Sequence, residues 1–154
     1  MSFSINLKTG EFKKSRLVSG PIWLEVEKQN FPSQQWNDFP VVILGWWLEA
    51  IADLVSKKAG SAKCLFMDGP YYFEVDATLG EIWGITLITN QSSGIKRSSR
   101  QEVTPKIVIS ETLRASQMVA DFCRHRDWRS SDLSTLETQI NNIDCMIKSS
   151  AEKR

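Results

Sequence analysis

Residues 40–58 read PVVILGWWLEAIADLVSKK, and this stretch decides how the chain folds. Small or polar residues recur at every fourth position of it: Gly45, Glu49, Asp53 and Lys57. Positions four apart share one face of a helix, so the remaining surface is almost entirely apolar. Pro40 suits the first helical turn, where an N–H group would have no partner. The pattern predicts one largely buried helix. The alternative is a strand over 41–44 that turns into helix at Gly45.

Strand-like segments lie on both sides of this helix. Six segments combine β-branched and aromatic residues with turn residues at their ends: Ser2–Leu7, Ile22–Val26, Ala62–Met67, Tyr71–Val75, Glu81–Thr89 and Glu102–Ile109. Asp68-Gly69-Pro70 is a strong turn signal, and the short breaks favour antiparallel pairing. Pro105 places the last segment at a sheet edge, because proline cannot donate to the ladder. Residues 31–36 are predicted to form a loop or a single helical turn.

Two helices are predicted to close the chain. Ser110 is a suitable N-cap for a helix from Glu111 to about Arg126. Ser131 or Asp132 caps the second helix, whose apolar residues recur in alternating steps of three and four. They are Leu133, Leu136, Ile140, Ile143 and Ile147. This stripe is expected to dock on the sheet of its own domain, with a contact to a second subunit as the alternative.

Size and composition complete the fold prediction. The chain has 154 residues, which corresponds to one domain, and 42% hydrophobic with 24% charged residues is typical of globular proteins. We therefore predict a single α+β domain over residues 1–154, with an antiparallel sheet of about four to six strands packed against about three helices. Residues 90–101 are expected to form a mobile basic loop, and residues 149–154 a frayed tail.

The sequence indicates neither a membrane nor a secretory context. The longest apolar run, 39–48, falls well short of the roughly 18–20 residues that a membrane span requires. The N-terminus lacks the charged and then apolar regions of a signal peptide. The three cysteines are widely spaced, which argues against a disulfide framework or a zinc site. A reducing cytoplasm is the expected location.

The net charge of +1 conceals an uneven distribution. Residues 1–21 carry a net charge of +3, residues 22–90 carry −5, and residues 91–154 carry +3. An acidic region of this kind can steer a basic partner towards it even when the whole molecule is nearly neutral. A solvated surface without a partner is the alternative.

No residue pattern predicts catalysis. The only histidine, His125, lies two positions after Cys123, so the two side chains point to different faces of a helix. Metal-ligand spacings and glycine-rich phosphate loops do not occur, so no metal, cofactor or catalytic residue is expected. Lys96, Arg97 and Arg100 cluster without an aromatic residue between them, so direct nucleic-acid binding is not expected.

Aromatic residues beside acidic ones indicate a protein interface instead. Trp46 and Trp47 point about 100° apart on a helix, so one of them is expected to reach the surface. On the strand after the turn, Tyr72, Glu74 and Asp76 share one face. Such an aromatic and acidic stripe suits an interface that accepts lysine or arginine.

Four segments follow one another in the chain: GPIW at 20–23, FPSQQWNDFP at 31–40, GWWLE at 45–49 and LFMDGPYYFE at 65–74. Together they resemble the small cytoplasmic immunity proteins that accompany bacterial contact-dependent growth-inhibition toxins and related polymorphic toxins. The resemblance covers about residues 20–90. It implies a 1:1 complex with the C-terminal domain of a cognate toxin, often a nuclease. The inhibitor would cover the active site or substrate surface, without a cofactor and without turnover.

The acidic residues of the middle region then become candidate toxin contacts. They are Tyr72, Glu74 and Asp76 at the centre, Asp68 and Glu81 at the rim, and Glu49 and Asp53 as a second patch. An alternative function is a small-molecule-binding or enzymatic domain whose pocket is lined by Trp46, Trp83 and Tyr71. A third is an adaptor or homodimer held by the last helix.

Overall fold

The computed structural model describes residues 2–152, and the side chains of residues 2–150. The helices in this range are α1 (Pro40–Val55), α2 (Pro105–His125) and α3 (Ser131–Glu152), with a 3-10 turn at Thr9–Glu11. The strands are β1 (Phe3–Leu7), β2 (Lys13–Lys14), β3 (Val18–Val26), β4 (Gln29–Phe31), β5 (Asn37–Asp38), β6 (Ser61–Leu65), β7 (Tyr71–Asp76), β8 (Trp83–Gln91), β9 (Gly94–Arg97) and β10 (Gln101–Val103). The predicted single α+β domain is confirmed, and its strands are divided between two antiparallel sheets.

The first sheet is built around β3. It has the order β1-β3-β2, and β4 and β5 also pair with β3 in antiparallel fashion. A two-residue turn joins β3 to β4, and its residues Glu27 and Lys28 have φ angles of 48° and 68°. Positive φ at both positions is the geometry of the type I′ turn, whose twist matches that of the flanking strands. Phe31 belongs to β4, so the loop predicted over 31–36 begins one residue later.

The second sheet contains the strands that follow α1. Its order is β10-β8-β7-β6, and β9 folds back on the end of β8. β7 pairs with both of its neighbours, so that Phe73 lies opposite Cys64 on one side and Leu87 on the other. The strands predicted on either side of the Asp68-Gly69-Pro70 turn are confirmed.

Helix α1 packs against both sheets and both later helices, as its apolar surface predicts. The ring of Trp47 lies 5.2 Å from that of Phe66 and 5.0 Å from that of Phe73, both nearly edge-to-face. Its indole Nε1 donates to the carbonyl of Leu65 at 2.7 Å, so this buried tryptophan also satisfies its polar atom. One helix begins at Pro40, and the alternative strand over 41–44 is wrong.

Helix α3 packs mainly against α1 and α2 rather than on the sheet that the sequence suggested. Its apolar stripe is buried at Leu133, Leu136, Ile140 and Ile143, while Ile147 is exposed. The helix is continuous to Glu152, so the tail predicted to fray is helical over 149–152. Residues 153–154 of that prediction lie outside the described residues.

Two predictions around Pro105 are wrong. The strand expected over Glu102–Ile109 ends at Val103, and α2 begins at Pro105 rather than after Ser110. Proline suits the first position of a helix as well as a sheet edge, because in both it needs no N–H partner. The β-branched run after it is helical because Val108 is buried in the core. Local β-propensity yields to burial here.

Residues 90–101 are also more ordered than predicted. They contain β9, which forms a hairpin with β8, and the first residue of β10. The exposure predicted for this segment does hold, since every residue from 91 to 97 is exposed.

Candidate protein-binding surface

The predicted aromatic and acidic stripe lies on the outer face of β7. Phe73 and Val75 of the same strand are fully buried on the inner face, and strand alternation places Tyr72, Glu74 and Asp76 opposite them. We call these three residues the sheet stripe. Tyr72, at 9% exposure, presents little of its ring to solvent.

Cations of the same molecule lie beside the sheet stripe, and Asp76 forms an ion pair with one of them. Lys63 lies directly opposite Glu74 on the neighbouring strand β6. Its Nζ atom is 5.3 Å from the centre of the Tyr72 ring, a cation–π arrangement. One lysine therefore covers the ring of Tyr72 and faces the carboxylate of Glu74.

Asp76 has partners of its own. It accepts hydrogen bonds from the hydroxyl and the N–H of Thr78, at 2.6 and 2.9 Å, and lies 3.7 Å from Nη2 of Arg100. The hydrogen bonds from Thr78, helped by the charge of Arg100, hold the pKa of Asp76 below its ordinary value. Asp76 is thus an ionised but already partnered carboxylate.

Arg100 occupies a space that only glycine leaves open. A Cβ atom on Gly84 would overlap the guanidinium of Arg100. Lying over Gly84, that guanidinium reaches Asp76 of β7 and Glu102 of β10, both at 3.7 Å. No sequence pattern predicts this pairing, because Gly84 and Arg100 belong to segments interpreted separately as strand and loop.

The two predicted rim residues lie at opposite ends of β7. Asp68 is in the β6–β7 turn, and Glu81 is in the β7–β8 turn. Both are exposed. Because β7 is six residues long, about 20 Å separates its ends, so these two carboxylates do not join into one acidic cluster.

The second predicted patch lies on α1, together with a tryptophan. Glu49 is exposed and Asp53 is half-buried, and Trp46, three residues before Glu49, is 40% exposed. Helical spacing puts all three on one narrow face, which we call the helix stripe. Trp47 is completely buried, so Trp46 is the member of the tryptophan pair that reaches solvent.

The helix stripe differs from the sheet stripe in its electrostatics. Within residues 2–152, neither the carboxylate of Glu49 nor that of Asp53 forms an ion pair or a hydrogen bond through its side chain. Placed four residues apart on a helix, these two like charges repel by a few tenths of a kcal/mol, roughly 0.2–0.5. The stripe therefore carries uncompensated negative charge beside an exposed indole.

Strand β6 and the residues just after it expose further apolar area, with Leu65 on the same face of the sheet as Tyr72. Leu65 is 46% exposed, and Met67, just beyond the strand, is 37% exposed. β6 is also a sheet edge, because β7 is its only paired neighbour among the described strands. Its residues Ser61 and Lys63 alternate with those bonded to β7, so their backbone groups point away from the sheet.

The opposite edge of the fold is closed by side chains. At β1, the carboxylate of Glu111 accepts from the N–H of Ile5 at 3.0 Å, and Nη2 of Arg114 donates to the carbonyl of Ile5 at 2.7 Å. Both outward backbone groups of Ile5 are thereby satisfied, and that edge is blocked against pairing with another chain. The edge at β6 is covered only in part, since Nε1 of Trp47 donates to the outward carbonyl of Leu65, whereas the outward backbone groups of Ser61 and Lys63 have no such partner among the described residues.

The predicted aromatic pocket is not assembled. Trp83 is buried in the core and Trp46 lies on the outside of α1, while Tyr71 lines a different cleft of about 230 Å³. That cleft lies between β4, β7 and β9, with Phe31, Lys96 and Arg97 among its lining residues. A second, more open hollow of about 300 Å³ lies between the ends of α1 and α3.

Nucleophilic and metal-binding groups are not gathered in the described part of the chain. Burial raises the pKa of the Cys64 thiol, and burial likewise raises that of Cys123 against a smaller opposing effect of Lys14. His125 is exposed at the end of α2. Among residues 2–152, no three His, Cys, Asp or Glu side chains are placed to hold a metal ion together.

Comparison with protein-family models, with curated proteins and with solved structures gives no match. No helix in the described range combines the length and the apolar character needed to cross a membrane.

Proposed function

We propose that this protein is an immunity protein, which binds the C-terminal domain of a cognate toxin and neutralises it by covering its active site or substrate surface. The observation that carries the proposal is the helix stripe, where Trp46 is exposed beside two uncompensated carboxylates. The resemblance of residues 20–90 to such proteins supplies the class of partner. The chain's own residues supply the surface.

Trp46 has the properties of an interface anchor. Tryptophan is enriched among the residues that dominate binding energy, because it buries a large rigid area and retains one hydrogen-bond donor. Leu65 of β6 and Met67 just beyond it expose further apolar area, but Leu65 pairs with Tyr72 and so belongs to the face of the sheet stripe. The outward backbone groups of Ser61 and Lys63 add hydrogen-bonding capacity at the β6 edge.

The carboxylates of the helix stripe favour a cationic partner. Glu49 and Asp53 form no ion pair in the described chain, so a lysine or arginine from a toxin would meet unpaired carboxylates. Nuclease domains are basic where they hold phosphate, which makes them suitable partners for such a surface. The sheet stripe is less suitable, because Lys63 and Arg100 already oppose its charge.

The proposal is tested by co-expressing the chain with the toxin domain encoded directly upstream of its gene. We expect a stable 1:1 complex and survival of the cells. Trp46→Ala combined with Glu49→Gln and Asp53→Asn is expected to weaken the complex at least tenfold, about 1.4 kcal/mol. Glu74→Gln with Asp76→Asn is the comparison variant from the sheet stripe.

The two variants test which surface contacts the toxin, and the wild-type experiment tests whether the protein is an immunity protein. Loss of affinity only in the sheet-stripe variant would move the contact to β7 and leave the function standing. Absence of both complex and rescue with wild-type protein would overturn the immunity function itself.

A small-molecule-binding domain is the second candidate, and the cleft between β4, β7 and β9 favours it. The rings of Phe31 and Tyr71 and the cations Lys96 and Arg97 line this cleft, a combination that suits a small aromatic anion. Thermal stabilisation by members of a metabolite panel would support this function, and loss of that shift in Arg97→Gln would assign it to the cleft.

A further inference from the structure

Two basic segments from opposite ends of the chain meet at one end of the folded molecule. One is the β2 hairpin, with Lys13, Lys14 and Arg16, and the other is the end of α2 with the loop after it. Phe12 joins them, because its ring centre lies 5.6 Å from that of Phe122 in an edge-to-face contact. The charge of Lys14 is close enough to act on the thiol of Cys123.

The second segment places an arginine against two aromatic rings. The guanidinium carbon of Arg126 is 4.7 Å from the centre of the Phe122 ring and 5.6 Å from that of Trp128. These two rings pack edge-to-face at 5.7 Å. Arg126 is exposed, so the face of its guanidinium that points away from the rings is open to solvent.

Four cations at this end are not neutralised. Arg124 pairs with Glu137, and Arg129 pairs with Asp127 at 2.6 Å. No ion pair within residues 2–152 involves Lys13, Lys14, Arg16 or Arg126, all of which are exposed. We call these four residues the basic end.

We propose that the basic end binds single-stranded nucleic acid. The three cations of the β2 hairpin would contact phosphates, and the ring-supported guanidinium of Arg126 would stack on an unpaired base. Guanidinium planes are used in this way when unstacked bases are recognised, and phosphate contacts by lysine and arginine supply affinity without sequence preference. The inference is independent of the toxin-binding function and uses a different face.

The chemistry of the surface favours nucleic acid over a lipid surface. No large apolar side chain is exposed among residues 12–17 or 122–130, so nothing at the basic end would insert between lipid chains. The sequence analysis argued against nucleic-acid binding at a different cluster, Lys96, Arg97 and Arg100, which has no aromatic residue between its cations. The basic end has the aromatic component which that cluster lacks.

The test is fluorescence anisotropy of the intact protein with labelled single-stranded RNA, and DNA of the same sequence, of about 15 nucleotides, enough for one binding site. The three phosphate contacts predict a slope of about −2 for log affinity against log salt, or roughly a 20-fold loss between 50 and 200 mM salt. Equal binding of RNA and DNA would identify the phosphate backbone as the ligand. Tighter binding of RNA would add its 2′-hydroxyls.

Matched variants make the assignment specific. Lys13→Gln with Lys14→Gln and Arg16→Gln is expected to abolish most binding, whereas Lys28→Gln with Lys58→Gln and Lys106→Gln removes the same charge elsewhere and should preserve it. Arg126→Lys retains the charge but not the planar group, and an affinity loss of about fivefold is expected. All substituted side chains are exposed, and thermal melts confirm folding.

Several results would overturn the inference. The first is absence of binding at low salt, and the second is an equal loss of affinity in the two triple variants. The others are tighter binding to phosphatidylserine vesicles, or to a polyglutamate peptide, than to the oligonucleotides. The last two would reassign the basic end to a membrane or an acidic protein.

Discussion

Asp38 and Asp68, thirty residues apart in the chain, are joined by a hydrogen bond in which the backbone N–H of Asp68 donates to Oδ2 of Asp38 at 3.2 Å. The carboxylate of Asp38 is completely buried. It also accepts from the N–H groups of Phe39 and Met67 and from Nε1 of Trp36. The start of α1 is thereby tied to the β6–β7 turn, which positions Asp68 at the surface.

Asp38→Asn is expected to lower the free energy of unfolding by about 3 kcal/mol or more, because an amide NH2 would face N–H donors in a buried site. Chemical denaturation measures the loss. Asp68→Asn is the matched control, since only its backbone enters the hydrogen bond and its side chain is exposed. Equal losses in the two variants would contradict the role assigned to the Asp38 carboxylate.

Lys57→Gly is expected to stabilise the protein by about 0.5–1 kcal/mol. Lys57 has a φ of 62° just after α1, where the N–H groups of Lys57 and Lys58 bond back to the carbonyls of Leu54 and Asp53. Glycine is the residue that adopts this left-handed conformation without strain. Thermal denaturation would show a higher melting temperature. Lys58→Gly, at a position without positive φ, should show no increase in melting temperature.

The adjacent tryptophans are expected to lose different amounts of stability on truncation. Trp47→Ala should cost about 3–5 kcal/mol, because it empties the space against Phe66 and Phe73. Trp46→Ala should cost about 1–2 kcal/mol and affect mainly the binding of the proposed toxin partner, because its ring is 40% exposed. Urea denaturation of both variants checks this, and a larger stability loss for Trp46 would rule it out as a surface anchor.

Gly84→Ala is expected to displace Arg100 and cost about 1 kcal/mol, since the new methyl group occupies the place of the guanidinium. In an Arg100→Ala background, the same change should be neutral or slightly stabilising, because glycine weakens a strand interior. A double-mutant cycle measures the coupling, expected at about 1 kcal/mol. Additive effects would show that the two residues do not share this space.

Glu111 is expected to contribute to the pH dependence of stability. Partial burial raises its pKa, but hydrogen bonds from Arg114 and from the N–H of Ile5 outweigh this and hold it below the ordinary value of 4.5. A lowered folded-state pKa gives stability that is complete above the unfolded value and is lost as the pH falls through the folded value.

Glu111→Gln should therefore destabilise the protein by about 1–2 kcal/mol at neutral pH, with a difference that shrinks below about pH 4.5. Denaturation curves over a pH series measure it. The exposed Glu11→Gln is the control and should stay within about 0.5 kcal/mol of wild type throughout. A stability difference between wild type and Glu111→Gln that grew on acidification would contradict the predicted pH dependence.

Much of the fold could be predicted from local pattern. Helix α1 was recognisable because its polar residues fall on one helical face, and the β6–β7 hairpin because Asp68-Gly69-Pro70 separates two strand-like runs. The start of α2 could not be recognised from the sequence, since Pro105 is equally compatible with a strand edge and a helix start. Burial of Val108 decides between them, and burial is a property of the whole chain.

The candidate surfaces could likewise be predicted from local pattern only in part. The period of a strand by itself put Tyr72, Glu74 and Asp76 on one face, and the period of a helix aligned Trp46 with Glu49 and Asp53. These relations are fixed by backbone geometry within a single element.

Only the tertiary structure decided which of these charges are free. It placed Lys63 opposite Glu74, laid Arg100 across Gly84 to reach Asp76, and left the carboxylates of the helix stripe without an ion pair in the described chain. It also brought Lys14 to the end of α2 through the contact of Phe12 with Phe122. Sequence spacing determines which side chains share an element, whereas their electrostatic environment depends on packing between residues distant in the chain.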